Sequence, residues 1–99
     1  MIGYKLLRYD QGSISGDYGR VIYGPDWREV PGDGAYVSRT VIGLLRGGHG
    51  PVLARVECDD PTGVVDDGHV ITARRARVLR TATPDAWAWV RVAIFAAKQ

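Results

Sequence analysis

Arginine is the residue type with the most chemistry to offer in this chain, since eleven arginines stand against two lysines, Lys5 and Lys98. A guanidinium is a planar fork that grips carboxylates and phosphates bidentately, as an ammonium does not. Four arginines, Arg74, Arg75, Arg77 and Arg80, fall in one run, 69–80, that reads as a strand. Side chains alternate along a strand, which puts Arg75 and Arg77 on one face and Ala76 and Val78 on the other. Arg55 joins that row if the run 52–57 pairs with 69–80. Such a row neutralises phosphates, a large source of nucleic-acid affinity, and Arg55, Arg75 and Arg77 are the candidate contacts. The competing reading pairs the arginines across strands with Glu57 and nearby aspartates, at about 0.2–1 kcal/mol each. The strand also lacks interleaved aromatics for stacking bases. A GC-rich genome produces the same arginine bias without functional cause.

The other reactive types fall short of a catalytic set. Asp59, Asp60, Asp66 and Asp67 carry oxygens suited to calcium, but calcium takes six to eight ligands at characteristic offsets, and these match none. His49 and His69 have no neighbouring ligand pair for zinc. The glycines at 47, 48 and 50 follow a helix and precede a strand, the reverse of a phosphate-binding loop. Ser13, Ser15 and Ser38 lack a nucleophile elbow. Cys58, the only cysteine, adjoins Asp59 and Asp60, whose charge disfavours a thiolate. Glu29 and Glu57 are the only glutamates, and Glu57 near arginines would stay ionised rather than poised for proton transfer. No catalytic residue, metal or cofactor is assigned, and a non-enzymatic role is the expectation.

Aromatic residues suggest contact instead. Trp27, Trp87 and Trp89 accompany five tyrosines, and Trp, Tyr and Arg anchor protein interfaces, although large rings also fill small cores. In the run 86–98 the positions of Trp87, Val90, Ile94 and Ala97 define a buried side, widened by Trp89, Val92 and Ala93. Ala88, Arg91, Phe95 and Lys98 then share the watery side. An apolar ring there makes Phe95, with Arg91, the candidate partner-binding pair.

The elements that must position these residues follow from local pattern. A first strand covers 3–9, with Tyr4 and Leu6 on one face and Lys5, Leu7 and Tyr9 on the other. A Gly/Ser/Asp-rich loop covers 10–19. Short strands lie at 21–23 and 27–30, punctuated by Gly24-Pro25-Asp26 and by Pro31-Gly32-Asp33-Gly34, and 35–37 is extended again. Thr40 caps a short helix over 41–46, whose Val41, Leu44 and Leu45 form a buried stripe. Strand 52–57 alternates cleanly, 58–68 reads as a loop, and 69–80 is the arginine strand, predicted to pair with 52–57. Thr83 as N-cap, Pro84 at the first helical position and Asp85 near the positive helix end open the C-terminal helix.

The fold class expected is α+β: a mixed or antiparallel sheet of four to six strands, with a short central helix and a C-terminal helix packed on one face. Ninety-nine residues, 45% apolar and 24% charged, suit one globular domain over 1–99. The absence of a signal-like run, of a span of about 20 apolar residues and of paired cysteines makes the cytoplasm, of a cell or of a phage-infected host, the expected compartment.

Two resemblances add to this. Gly3-Tyr4-Lys5, Gly34-Ala35-Tyr36-Val37-Ser38 and Ala73-Arg74-Arg75-Ala76-Arg77-Val78-Leu79 resemble, in order and spacing, a small uncharacterised domain of phage and bacterial proteins. That resemblance implies an accessory protein and no chemistry. Arg8 and Ser38-Arg39-Thr40 are similar to the early arginine and the Ser-x-Thr strand end of the ADP-ribosyltransferase fold. The late catalytic glutamate of that family has no counterpart after Glu57, so the resemblance implies NAD binding at most. Three functions therefore stand as expectations. The first is a non-enzymatic, phage- or prophage-like accessory protein acting through a protein partner or through homo-oligomerisation. The second is a nucleic-acid binder, and the third a degenerate NAD-binding domain.

Overall fold

A computed structural model describes residues 1–14, 20–47 and 50–97, excepting the side chains of Ile14, Arg20, Ala86, Val92, Ala93, Phe95, Ala96 and Ala97. Among the described residues seven strands are formed: β1 (Ile2–Leu7), β2 (Gly12–Ile14), β3 (Arg20–Ile22), β4 (Arg28–Glu29), β5 (Ala35–Ser38), β6 (Val52–Val65) and β7 (Val70–Ala82). Helix α1 (Val41–Gly47) lies between β5 and β6, and α2 (Ala86–Ala97) follows β7. The fold is α+β, with every strand pairing antiparallel.

The main sheet has five strands, and β2 with β3 makes a separate two-stranded ribbon. Within the main sheet the pairing runs β6–β1–β5–β7 and returns to β6, so these four strands close into a ring, with β4 added along β7. The seam of the ring is narrow. β1 and β5 meet through the pair Tyr4↔Ser38, and the approach is so close that a Cβ on Gly3 would stand 2.8 Å from the Ser38 carbonyl oxygen.

The long hairpin β6–β7 supplies most of the ring. Its pairs include Arg55↔Arg80, Val56↔Val78 and Glu57↔Arg77, as the alternation of the two runs predicts. The segment 58–68, expected to be a loop, continues β6 as far as Val65 and closes in a 3-10 turn at Asp66–Gly68. Its turn-forming residues have a different use. Asp60 takes a positive φ of 58°, and the register shifts between Pro61 and Gly63. Asp, Pro and Gly here bend a strand at a bulge, where a proline is tolerated, instead of ending it. That bend lets one hairpin serve both sides of the ring.

Leu7, Val37 and Val56 are the largest side chains wholly removed from solvent, joined by Ala54, Ala73 and Ala76. They come from β1, β5, β6 and β7, so the ring fills its own interior. The C-terminal helix is consequently left outside. Trp87, expected in the core, is 73% exposed, Val90 46% and Ile94 53%. Half-buried Trp89 instead lines a groove of about 600 Å³ with Tyr4, Leu44 and Leu53. At about 100° per residue, Trp89 points away from the Trp87 side. Leu45 of α1 is likewise exposed rather than buried.

Both helices start on side-chain caps. Thr40 Oγ1 accepts from the Gly43 amide at 3.1 Å, as predicted. For α2 the cap is Asp85, not Thr83: its Oδ1 accepts from the Ala88 amide at 2.7 Å. β7 runs on to Ala82, which shifts the helix start by two residues, and aspartate caps as well as threonine.

Candidate functional site

The arginine row exists and is largely spent on ion pairs. Arg77 Nε donates to Glu57 Oε1 at 2.8 Å, Arg75 pairs with Asp59, and Arg74 Nε lies 3.2 Å from Asp60 Oδ2. Register dictates this: Glu57 faces Arg77 and Asp59 faces Arg75 across the hairpin. Trp27 completes the arrangement, its ring centre 4.9 Å from the Arg77 guanidinium carbon and 5.6 Å from that of Arg75. The row is thus a cross-strand charge ladder with a tryptophan lid. Arg55 stands apart from it, opposite Arg80. Among the described residues, neither of these exposed cations meets a carboxylate.

The partner-binding pair divides. Arg91 is exposed on α2 as expected, while the Phe95 side chain, like Ser15, His49 and Lys98, lies outside the described residues. An apolar surface is present on the helix nonetheless. At about 100° per residue, Trp87, Val90 and Ile94 lie within about 60° of arc, with Arg91 at its margin. The i, i+3, i+7 spacing was legible in the sequence, and only its direction was misread.

Arg8, Ser38 and Thr40 do not form one constellation. Arg8 and Ser38 line a common cavity of about 520 Å³. Thr40 lines the α2 groove instead, its hydroxyl 2.7 Å from His69 Nδ1. Neither glutamate lines the cavity: Glu57 is paired with Arg77, and Glu29 is exposed on β4.

A residue that sequence reasoning passed over dominates that cavity. Lys5 sits between Gly3 and Leu7 on the inward face of β1 and is only 8% exposed. Its Nζ donates to the Tyr36 carbonyl at 2.6 Å and lies 5.3 Å from the centre of the Tyr23 ring. Burial lowers the Lys5 pKa from 10.5 to about 8 and raises that of Tyr23 to about 12, a rise that the Arg28 charge offsets in part. Alternation, which puts Lys5 on the same face as Leu7, was the available signal, and a lysine on a core face is rare. Cys58 is buried and its thiol pKa raised, first by that burial, which disfavours its thiolate. Among the described residues no group of three or more His, Cys, Asp or Glu side chains is placed to hold a metal, and no helix is long and apolar enough to cross a membrane.

These features define a small closed-sheet α+β domain with an external apolar helix and an internal lysine. No family model matches the chain, and no curated protein or solved structure is significantly similar to it.

Proposed function

We propose that this chain is a non-enzymatic binding protein that acts through protein contact, made by α2 with a second copy of the chain. The observation that carries this reading is the exposed stripe of Trp87, Val90 and Ile94 on a helix the closed sheet leaves outside. A second copy suits the stripe because it is self-complementary. Turned antiparallel about Val90, Trp87 of one copy meets Ile94 of the other, the helix dipoles oppose, and Arg91 at the margin reaches the partner's aromatic ring. Twelve helical residues span about 18 Å, so the contact sits near the lower limit of stable interfaces, about 1,200 Å² in all. The dimer should accordingly form in the micromolar range. An accessory role in a phage or prophage setting, in the cytoplasm, completes the proposal.

Sedimentation velocity from about 1 to 300 µM tests it. The expected result is a concentration-dependent dimer that Trp87→Ser and Ile94→Ser each weaken at least tenfold, with unchanged circular dichroism. A chain that stays monomeric throughout, or dimers indifferent to both substitutions, would overturn the reading.

A nucleic-acid contact through Arg55, Arg75 and Arg77 draws support from the Arg55–Arg80 pair, where two cations face one another and meet no carboxylate among the described residues. Two phosphate contacts would give a slope of about −2 in log K against log salt. Binding to a 20-base-pair duplex with that slope, abolished by Arg55→Gln with Arg80→Gln, would favour this second reading over the first.

A further inference from the structure

We propose that the cavity around Lys5 is a binding site for a small organic anion, held by its phosphate or carboxylate group. A cationic amine enclosed by protein normally takes a carboxylate partner, because leaving a charge both desolvated and unpaired is costly. Lys5 has none among the described residues; its one protein acceptor is the neutral Tyr36 carbonyl. An ammonium has three donors, so acceptor capacity is missing on the cavity side.

The cavity lining answers that deficit with further donors. Ser38 lines the cavity, and its hydroxyl has no protein hydrogen-bond partner among the described residues, which leaves it open to an occupant of the cavity. Arg8, just beyond the end of β1, also lines the cavity and pairs with no carboxylate among the described residues. Arg46 and Asp66 line it too, as an ion pair 3.0 Å apart in which each charge offsets the other. An ammonium in the interior, a hydroxyl beside it and a guanidinium fork on the surface are the donors an anionic oxygen group requires. The volume, about 520 Å³, is in the range of small-molecule sites and exceeds what a bare ion fills. The organic remainder has apolar wall to rest on, in Leu6, Tyr23 and Val70. Nothing in this arrangement depends on α2, and the site and the dimer stand or fall separately.

With two lysines in the chain, the test can be read on the wild-type protein. Lysine labelled with ¹³C at Cε gives two signals, assigned with Lys98→Arg. The probes are inorganic phosphate, phenyl phosphate and benzoate, each against sodium chloride of matched ionic strength at pH 7.5. The expected result is a saturable shift of the Lys5 signal at millimolar phenyl phosphate or benzoate, with Lys98 unmoved. The better of those two probes identifies the anionic group. The same probe should raise the melting temperature by a few degrees. Lys5→Met should remove that rise and Arg8→Gln should weaken binding about tenfold, the usual cost of a charge-assisted hydrogen bond. A Lys5 signal indifferent to all three probes, or moving in step with Lys98, overturns the proposal. So does a thermal shift that persists in Lys5→Met; should that variant fail to fold, the wild-type signals decide alone.

Discussion

At the scale of single residues, the interior amine sets a pH dependence opposite to that of most small domains. Lys5 titrates near 10.5 when unfolded and about 8 when folded. Between those values the unfolded chain binds more protons, so stability rises with pH. The displacement corresponds to about 3 kcal/mol, absent at neutral pH and gained by pH 10 to 11. Tyr23 works the other way: its folded pKa near 12 lies above the usual 10, so its contribution is present below pH 10 and lost above it. The Cys58 thiol, also raised above its ordinary 9 by burial, acts in the same sense as Tyr23, so denaturant melts should show stability rising from pH 8 and turning over at about pH 9 to 10. Lys5→Met, which keeps the length and removes the charge, should be more stable than wild type at pH 7 and lack the rise above pH 8. A wild type that loses stability steadily from pH 7 to 10 would contradict the buried amine. The ladder residues are a contrast. Arg77 and Glu57 are each about one-third exposed, and a double-mutant cycle on them should return no more than about 1 kcal/mol, smaller still in 1 M salt.

At the scale of elements, α2 separates what sequence can show from what it cannot. Its existence, its lack of internal breakers and the 87/90/94 stripe were all legible, because helical period and propensity are local. Which side faces protein was not, because that depends on whether the sheet has an open face. Here the ring closes on itself, and the Trp89 side docks instead. The same division holds for 58–68. The Asp-Pro and Gly residues announce bent backbone, and only pairing with β7 over Asp59↔Arg75 to Val65↔Val70 makes the bend part of a strand. Lys5 follows the same division. Alternation puts it on the face of Leu7, and only the structure shows that this face is interior. Two substitutions check the helix. Asp85→Ala should cost about 1 kcal/mol through loss of the N-cap. Trp87→Ala, in dilute monomeric protein, should change stability by less than about 0.5 kcal/mol, since the ring is largely in solvent. A loss of about 3–5 kcal/mol, the range for a truncated core aromatic, would return Trp87 to the interior.

At the scale of the whole molecule, everything described rests on the closure of the ring, and closure rests on its thinnest seam. β6 and β7 pair along nearly their whole length, and β1 pairs with β6 from Ile2↔Glu57 to Leu7↔Val52. β1 and β5, by contrast, meet through Tyr4↔Ser38 alone. Gly3 is the residue that allows the meeting: a Cβ there would strike the Val37 side chain and stand 2.8 Å from the Ser38 carbonyl oxygen. Ser38 and Lys5 lie on the two sides of this seam, so the same contact that closes the ring also brings the amine and the hydroxyl to one cavity. Gly3→Val should therefore do more than add bulk. It should push β1 from β5, cost the 1–3 kcal/mol or more typical of overpacking, and leave β6–β7 paired. Hydrogen exchange can distinguish these outcomes. The expected pattern is loss of protection at the β1–β5 seam, with the amides shared by 53–58 and 76–82 still slow. Uniform loss across both regions would mean that the hairpin has no stability apart from the ring, and unchanged protection at the seam would mean that glycine is not what closes it.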